Sequence, residues 1–370
     1  MEKLNINALV IGKSGSGKSS LLNYLCGREV EKTGSGRPVT EKGIFEHTIE
    51  LNNKCWLNIF DTWGLEPDKT GEWQKMIDAE IKKHDVEDIK DWFHFILYCI
   101  NAQSTRIEDF EEEFITSLLN MNNHVIVVFT HCDNSYREDL DNMISYLTQK
   151  NVIDKKNIIE VCSVEKTLIG GRKVHSFGKE RLLERIQENF WHSICDKVPE
   201  RIRNKAIALI DEVTLRLKNY ADKSIQFFNI HSDRNYKKLN SYCNEQYNQC
   251  INEIVKFSEE KINESIDFYL QICNMFYLYM PDKSGRIKDK IVSEINYSMD
   301  FSDKFAENIA FMIVSCIPIV NCLMPKLVTE MKQEEYKEYI DNASRDLIKK
   351  SNNMCDELSE YLRNLYIKSC

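Results

Sequence analysis

No stretch of this chain gathers lysine and arginine into a basic tract. With 49 basic against 58 acidic side chains its formal net charge is −9, which argues against a nucleic-acid partner, because phosphate contacts need clustered cations. Thirteen cysteines are present, but none forms a C-x-x-C pair and no histidine joins a cysteine at zinc-ligand spacing. Several, such as Cys55, Cys99 and Cys162, lie in apolar surroundings and read as buried free thiols of a reducing cytosol. A charged leader followed by an apolar core is missing, so no secretory signal is expected. With Glu2 in second place no N-myristoylation is expected, and Cys370 stands last instead of fourth from the end, so no prenylation box is expected. Glycine is scarce after Gly178, where only Gly285 occurs, and no tryptophan follows Trp191.

These shortages divide the chain near Lys197-Val198-Pro199 and predict two domains, 1–197 and 198–370. In the first, apolar runs at Leu4–Ile11, Ile44–Leu51, Cys55–Phe60, Trp92–Ile100, His124–Phe129 and Asn157–Val161 read as strands. Amphipathic segments near Lys18–Cys26, Glu72–His84, Ile107–Asn120, Tyr136–Lys150 and Lys179–Ile194 read as helices. The alternation predicts an α/β domain with a six-stranded, mainly parallel sheet. Asn52-Asn53-Lys54 gives hairpin spacing, so one edge strand is expected to run antiparallel.

Gly12-Lys13-Ser14-Gly15-Ser16-Gly17-Lys18-Ser19 is a complete G-x-x-x-x-G-K-[ST] phosphate loop between an expected strand and an expected helix beginning at Lys18 and running through Ser20. Backbone N–H groups along this loop would turn inward around phosphates, helped by the positive end of the helix. Lys18 would reach the β- and γ-phosphates, and the Ser19 hydroxyl would ligate Mg²⁺. Thr40 follows in the polar segment Gly34–Thr40, where a hydroxyl suits Mg²⁺ and a backbone N–H suits a γ-phosphate. Asp61-Thr62-Trp63-Gly64 closes the strand from Cys55; Asp61 would hold Mg²⁺ through water, and Gly64 would let backbone approach the γ-phosphate. Thr130-His131-Cys132-Asp133 ends another apolar strand. The Asp133 carboxylate can accept from guanine N1–H and N2–H₂, a donor pair that adenine lacks. His131 would lie over the base, and Ser163 in Cys162-Ser163-Val164 would offer backbone N–H groups to guanine O6.

Taken in order, Gly12–Ser19, Thr40, Asp61–Gly64, Thr130–Asp133 and Ser163 resemble the GTP-binding domain of translation-factor-related P-loop GTPases. In detail the set is similar to the Era-like, immunity-related and AIG1-type groups. Asp61-Thr62-Trp63-Gly64-Leu65 resembles their D-T-P-G-L, with Trp63 in place of proline, and Thr130–Asp133 resembles their T-[RH]-x-D variant. The likeness covers about residues 1–195. It implies binding of GTP and GDP with Mg²⁺ and hydrolysis of GTP, with Lys18, Thr40 and Gly64 at the transferred phosphoryl group. Leu65 stands where signalling GTPases carry the glutamine that orients water, and Gly15 where potassium-activated relatives carry asparagine. Hydrolysis is therefore expected to be slow and assisted by a homodimer across the nucleotide face, with Arg28 and Arg37 as candidate donors of positive charge.

The second half carries helical stripes: Ile202, Ala206, Leu209, Val213 and Leu217; Cys243, Tyr247, Cys250, Ile254 and Phe257; and Ile340, Ala343, Leu347, Met354, Leu358, Tyr361 and Leu365. They predict an all-α helical bundle that reads out the nucleotide state, with a partner-binding coiled coil as the alternative. Ile309–Met324 is the most apolar run, shorter than the ~20 residues of a spanning helix and interrupted by Pro318 and Asn321. Three readings stay open for it: a buried helix pair, a membrane-touching tip as in dynamin-like GTPases, or a partner groove. The expected location is cytoplasmic, with or without peripheral membrane contact, and the bundle is the expected seat of a protein partner. A nucleotide-gated scaffold with negligible turnover is the other alternative that Leu65 suggests.

Overall fold

The computed structural model describes residues 4–27, 29, 44–52, 55–62, 70–86, 88–133, 135–167, 173–227, 233–278 and 333–369. They divide into two units, Met1–Ser193 with Phe268–Lys288 and Ile194–Asp267 with Asp289–Cys370.

The first unit is built on six strands: β1 (Leu4–Gly12), β2 (Ile44–Asn52), β3 (Cys55–Thr62), β4 (Phe95–Asn101), β5 (Val125–Thr130) and β6 (Ile158–Glu160). Their order is β2-β3-β1-β4-β5-β6. All neighbours run parallel except the β2–β3 edge pair, which is antiparallel. Unbroken apolar stretches fix the centre: Ile6 and Ala8–Ile11 of β1 are fully buried, as are Val125–Phe129 of β5, as expected of strands covered on both faces. Helices α1 (Lys18–Cys26), α2 (Thr70–His84), α3 (Asp109–Asn120) and α4 (Arg137–Gln149) alternate with the strands. Trp73 and Ile77 of α2, Phe114 and Leu118 of α3, and Leu140 and Met143 of α4 share one core with β1, β4 and β5. A two-stranded hairpin, β7 (Lys166–Thr167) and β8 (Lys173–Val174), follows the sheet.

β4 begins at Phe95 instead of Trp92. Asp88 accepts from the Lys90 N–H at 3.0 Å and commits Ile89–Asp91 to a 3₁₀ turn. His94 is then fixed at the foot of β1: its Nδ1 accepts from the Asn7 N–H at 2.8 Å, and its Nε2 lies 3.0 Å from the Ile89 carbonyl. The helix expected over Lys179–Ile194 is also longer. Helix α5 runs unbroken over Lys179–Phe227 with Pro199 inside it, so no change of element occurs at Lys197–Pro199.

The second unit consists, among its described residues, of α5 from Ile194, α6 (Asp233–Leu278) up to Asp267, and α7 (Gln333–Ser369). Arg216 to Gln246 at 2.9 Å and the Tyr220–Tyr242 ring pair set α6 antiparallel to α5. Ion pairs Arg203–Asp356, Lys218–Asp341 and Lys337–Asp222 set α7 antiparallel to α5 as well. The α5 seam is Ile202, Ala206, Ile210, Val213, Leu217 and Ala221, with Leu209 one position off it. On α6, Ser258 is buried in place of Phe257; its hydroxyl bonds the Ile254 carbonyl at 2.7 Å and so needs no other partner. On α7, Ile340, Ala343, Leu347, Met354 and Leu358 are buried, and Leu362 replaces the half-buried Tyr361. Ser344 sits among the three helices, 2.6 Å from Thr214 and 3.0 Å from the Tyr247 hydroxyl, whose acidity burial pushes down to a pKa of about 12. Among the described residues no helix is long and apolar enough to cross a membrane. Ile309–Met324 lies outside them.

Candidate functional site

The phosphate loop leaves β1 at the centre of the sheet, where the order of strands to either side diverges. Gly15 and Gly17 take left-handed backbone, φ 75° and 81°, which glycine adopts without strain. The Ser16 N–H donates to the Lys13 carbonyl at 3.1 Å, closing a tight turn. Gly12 is needed for closeness: a Cβ there would stand 2.4 Å from the Cys99 carbonyl oxygen of β4. Lys18 is buried, and its ammonium donates to the carbonyls of Gly12 at 2.9 Å and Lys13 at 3.1 Å. Ser19 and Ser20 are partly buried in the first turn of α1.

The loop after β5 rests on this cradle. Thr130 is 1% exposed, and its hydroxyl reaches the Ser16 carbonyl at 2.7 Å and the Ile100 carbonyl at 3.3 Å. His131 is left-handed (φ 55°), and its Nε2 lies 3.0 Å from the point where a Gly17 Cβ would stand. A non-glycine residue held there is a strained feature of the kind found at ligand clamps. The Cys132 N–H donates to the Val161 carbonyl at 3.4 Å, which brings Thr130–Asp133 beside the segment carrying Ser163. Burial pushes the Cys132 thiol up to about 12, so it is an inert spacer and not a nucleophile. Asp133 and Ser163 are both partly buried. Cys162 exchanges backbone hydrogen bonds with Phe177 at 3.1 and 3.0 Å, holding that segment open-ended next to Gly178.

Strand register sets Asp61 beside Val10, two residues before the loop begins. The structure therefore brings together Gly12–Ser20, Thr130–Asp133 and Ser163, with Asp61 at the adjacent strand end. Thr40, Gly64, Trp63, Leu65, Arg28 and Arg37 lie outside the described residues.

Three contributions were missed by sequence reasoning. Thr130 acts as a tie between the two loops, Lys13 turns its side chain to α3, and Lys179 donates to the Tyr24 carbonyl at 2.9 Å at the end of α1. Their partners Ser16, Glu108 and Tyr24 lie 114, about 95 and 155 residues away in sequence.

The arrangement suits a polyphosphate. A Cβ on Gly15 would meet nothing within 4 Å, so that side of the loop faces open space. The Ser16 hydroxyl is buried without a hydrogen-bond partner. A glycine-turned loop at the start of a helix, with a lysine at its mouth, defines a P-loop nucleotide-binding domain.

Comparison with known proteins narrows this further. Residues 7–131 match the family model described as 50S ribosome-binding GTPase. Cell division control protein 11 of Saccharomyces cerevisiae is 26% identical over 162 residues, 37% of this chain and 39% of that protein. GTPase Der of Borrelia garinii subsp. bavariensis is 39% identical over 64 residues, 17% of this chain and 14% of that one. Toc33 from Arabidopsis thaliana, solved with GDP and Mg²⁺, is 17% identical with a TM-score of 0.34, covering 50% of this chain and 82% of that structure. The chain spans no more than about two fifths of the length of these curated relatives. The likeness to P-loop GTPases therefore lies in the first unit, where residues 7–131 match, and a helical region follows it.

Proposed function

We propose that this protein binds GTP with Mg²⁺, hydrolyses it slowly to GDP and phosphate, and couples the nucleotide state to its helical region. The observation that carries the reading is the tie between the two loops: Thr130 bonds the phosphate loop at Ser16, so the segment bearing Asp133 is held at a fixed offset from the phosphate cradle. A triphosphate in the cradle and a guanine edge at Asp133 are then two ends of one ligand.

In this reading the backbone of Gly12–Ser19 binds the phosphates, and Lys18 exchanges its two loop carbonyls for the β- and γ-phosphate oxygens. Ser19, Asp61 and Thr40 are the residues to hold Mg²⁺, and Gly64 reports the γ-phosphate. Mg²⁺, when bound, neutralises charge that develops on the phosphate oxygens. His131 covers the base, and Ser163 offers its backbone to O6. Leu65 supplies no group to orient water, so turnover is slow and rises when a second copy presents an arginine, Arg28 or Arg37, across the nucleotide face. Order at Thr40 and Gly64 is lost with the γ-phosphate. The functional division at 197/198 falls inside α5, which with α6 is one of two described helices that both units share, and these are the covalent routes for coupling. Protein partners belong to the bundle; for Ile309–Met324 a helix pair buried in the bundle is the first reading, with a membrane-touching tip and a partner groove as the alternatives.

Calorimetry with GTP, GDP and ATP in the presence of Mg²⁺ tests the core of the proposal. Binding of GTP and GDP with ATP at least about a hundredfold weaker is expected from the unpaired carboxylate that adenine would leave. Equal affinity for ATP, or no binding of any nucleotide, overturns it. Phosphate release per molecule that stays flat from nanomolar to tens of micromolar protein would remove the dimer from the mechanism and leave the GTPase.

A further inference from the structure

Lys13 is the second residue of the phosphate loop, yet its charge is turned away from the cradle. The ammonium stands 2.8 Å from Glu108 Oε1 and 3.6 Å from Glu111 Oε1, and 4.9 Å from the centre of the Phe110 ring. Glu108 and Glu111 form the capping box of α3, in which the Glu108 N–H donates to Glu111 Oε2 at 3.0 Å. Glu111 is 2% exposed. Burial raises its proton affinity, and the Lys13 ammonium pulls against that rise. Lys13 thus neutralises a carboxylate that has little access to water.

The backbone of the same residue is a junction. The Lys13 carbonyl accepts from the Ser16 N–H at 3.1 Å and from the Lys18 ammonium at 3.1 Å. Its side chain holds α3, while its carbonyl holds both the loop turn and the resting position of Lys18.

We propose that Lys13 is a positioning residue: its ion pair with Glu108 and Glu111 pins the Lys13–Ser16 turn to α3 and pre-forms the cradle, and its ammonium does not contact phosphate. This rests on the nucleotide reading of the loop and deepens it. A lysine that served as a phosphate ligand, restrained by the two carboxylates, would behave in the opposite sense. Freeing it from Glu111 would then strengthen nucleotide binding.

The test uses the full chain and the variants Lys13→Met, Lys13→Arg, Glu108→Gln, Glu111→Gln and the double Lys13→Met/Glu111→Gln. Two quantities are measured: amide hydrogen exchange of the loop peptide in nucleotide-free protein, and the Kd for GDP with Mg²⁺. Lys13→Met is expected to speed loop exchange and weaken GDP binding by about tenfold each, one step of about 1.4 kcal/mol. The two carboxylate variants shift both readouts the same way, Lys13→Arg stays near the parent, and the double variant is no worse than Lys13→Met. Unchanged loop exchange in Lys13→Met and Glu108→Gln, or tighter GDP binding in Glu111→Gln, overturns the proposal. Glu108→Gln guards against misfolding, because Glu108 is far less buried than Glu111. If the parent binds no GDP, the nucleotide reading fails by itself, and the exchange data still decide whether Lys13 pins the loop.

Discussion

The hydroxyl of Ser359 on α7 donates to the carbonyl oxygen of Cys195 on α5 at 3.0 Å. Four residues beyond Cys195 stands Pro199, which has no N–H to give that carbonyl. The serine supplies from a neighbouring helix the donor that the proline withholds, and α5 passes through Pro199 without ending. Buried thiol and carbonyl at Cys195 are thus both accounted for, the thiol being pushed up to about 12 by burial.

Ser359→Ala is expected to lower unfolding free energy by about 1 kcal/mol, the usual worth of one such bond. Pro199→Ala restores an N–H at the right place. It should therefore stabilise more in the Ser359→Ala background than in the parent. Urea denaturation of the four proteins reads this, and equal effects of Pro199→Ala in both backgrounds would separate the two residues.

Thr130→Ala removes the tie to Ser16 and Ile100, leaving a buried carbonyl without its donor. GDP affinity should fall by about tenfold or more, in line with the ~1–3 kcal/mol cost of an unsatisfied buried acceptor. Thr130→Ser keeps the hydroxyl and should stay near the parent. Titration calorimetry distinguishes them; a deficit of equal size in both would assign the loss to the methyl group instead.

Gly12→Ala places a Cβ 2.4 Å from the Cys99 carbonyl, whereas Gly15→Ala places one in open space at φ 75°. The first should cost about 1–3 kcal/mol of overpacking at the sheet centre. The second costs only its left-handed strain, about 1–2 kcal/mol. Thermal unfolding of nucleotide-free protein should rank Gly12→Ala below Gly15→Ala, and the reverse order would contradict the close approach of β1 to β4.

His192 on α5 has its pKa lowered from the usual 6.5, first by burial and then by His124 and Lys156, against the opposing pull of Glu188. The two imidazoles stack at 5.8 Å. A lowered folded value means that the unfolded chain takes up its proton first as pH falls. Stability from this group is therefore complete above about pH 6.5 and is lost below it, as the folded value is approached. Melting temperature should fall from pH 7 towards pH 5.5, with a shallower fall in His192→Gln. An identical slope in the variant would place the sensitivity elsewhere.

The sheet was legible because its strands are apolar almost without interruption. Ala8–Ile11 and Val125–Phe129 can lie only where both faces are covered, and the glycine-marked phosphate loop separates the first from its amphipathic helix. The hairpin edge followed from three polar residues between Leu51 and Cys55. The helix expected to stop at Ile194 runs on through Pro199, where Ser359 of a neighbouring helix satisfies the carbonyl that the proline leaves without its N–H. Seam errors of one position at Leu209, Phe257 and Tyr361 arose because apolar residues adjoin the true seam, and because serines that bond their own helix, such as Ser258, can be buried. At the site, residue types and spacing announced Gly12–Ser19 and Thr130–Asp133. The tie from Thr130 to Ser16 spans 114 positions and the turn of Lys13 towards α3 about 95, so neither leaves a local signature.

Thr130 has one hydroxyl and two carbonyl partners, one in the phosphate loop at Ser16 and one in β4 at Ile100. The segment Thr130–Asp133, to which the proposed reading gives the choice of purine, is therefore not a detachable module. Grafting a foreign purine-selecting loop onto this scaffold would transplant specificity only if its first residue also carried a donor in that position.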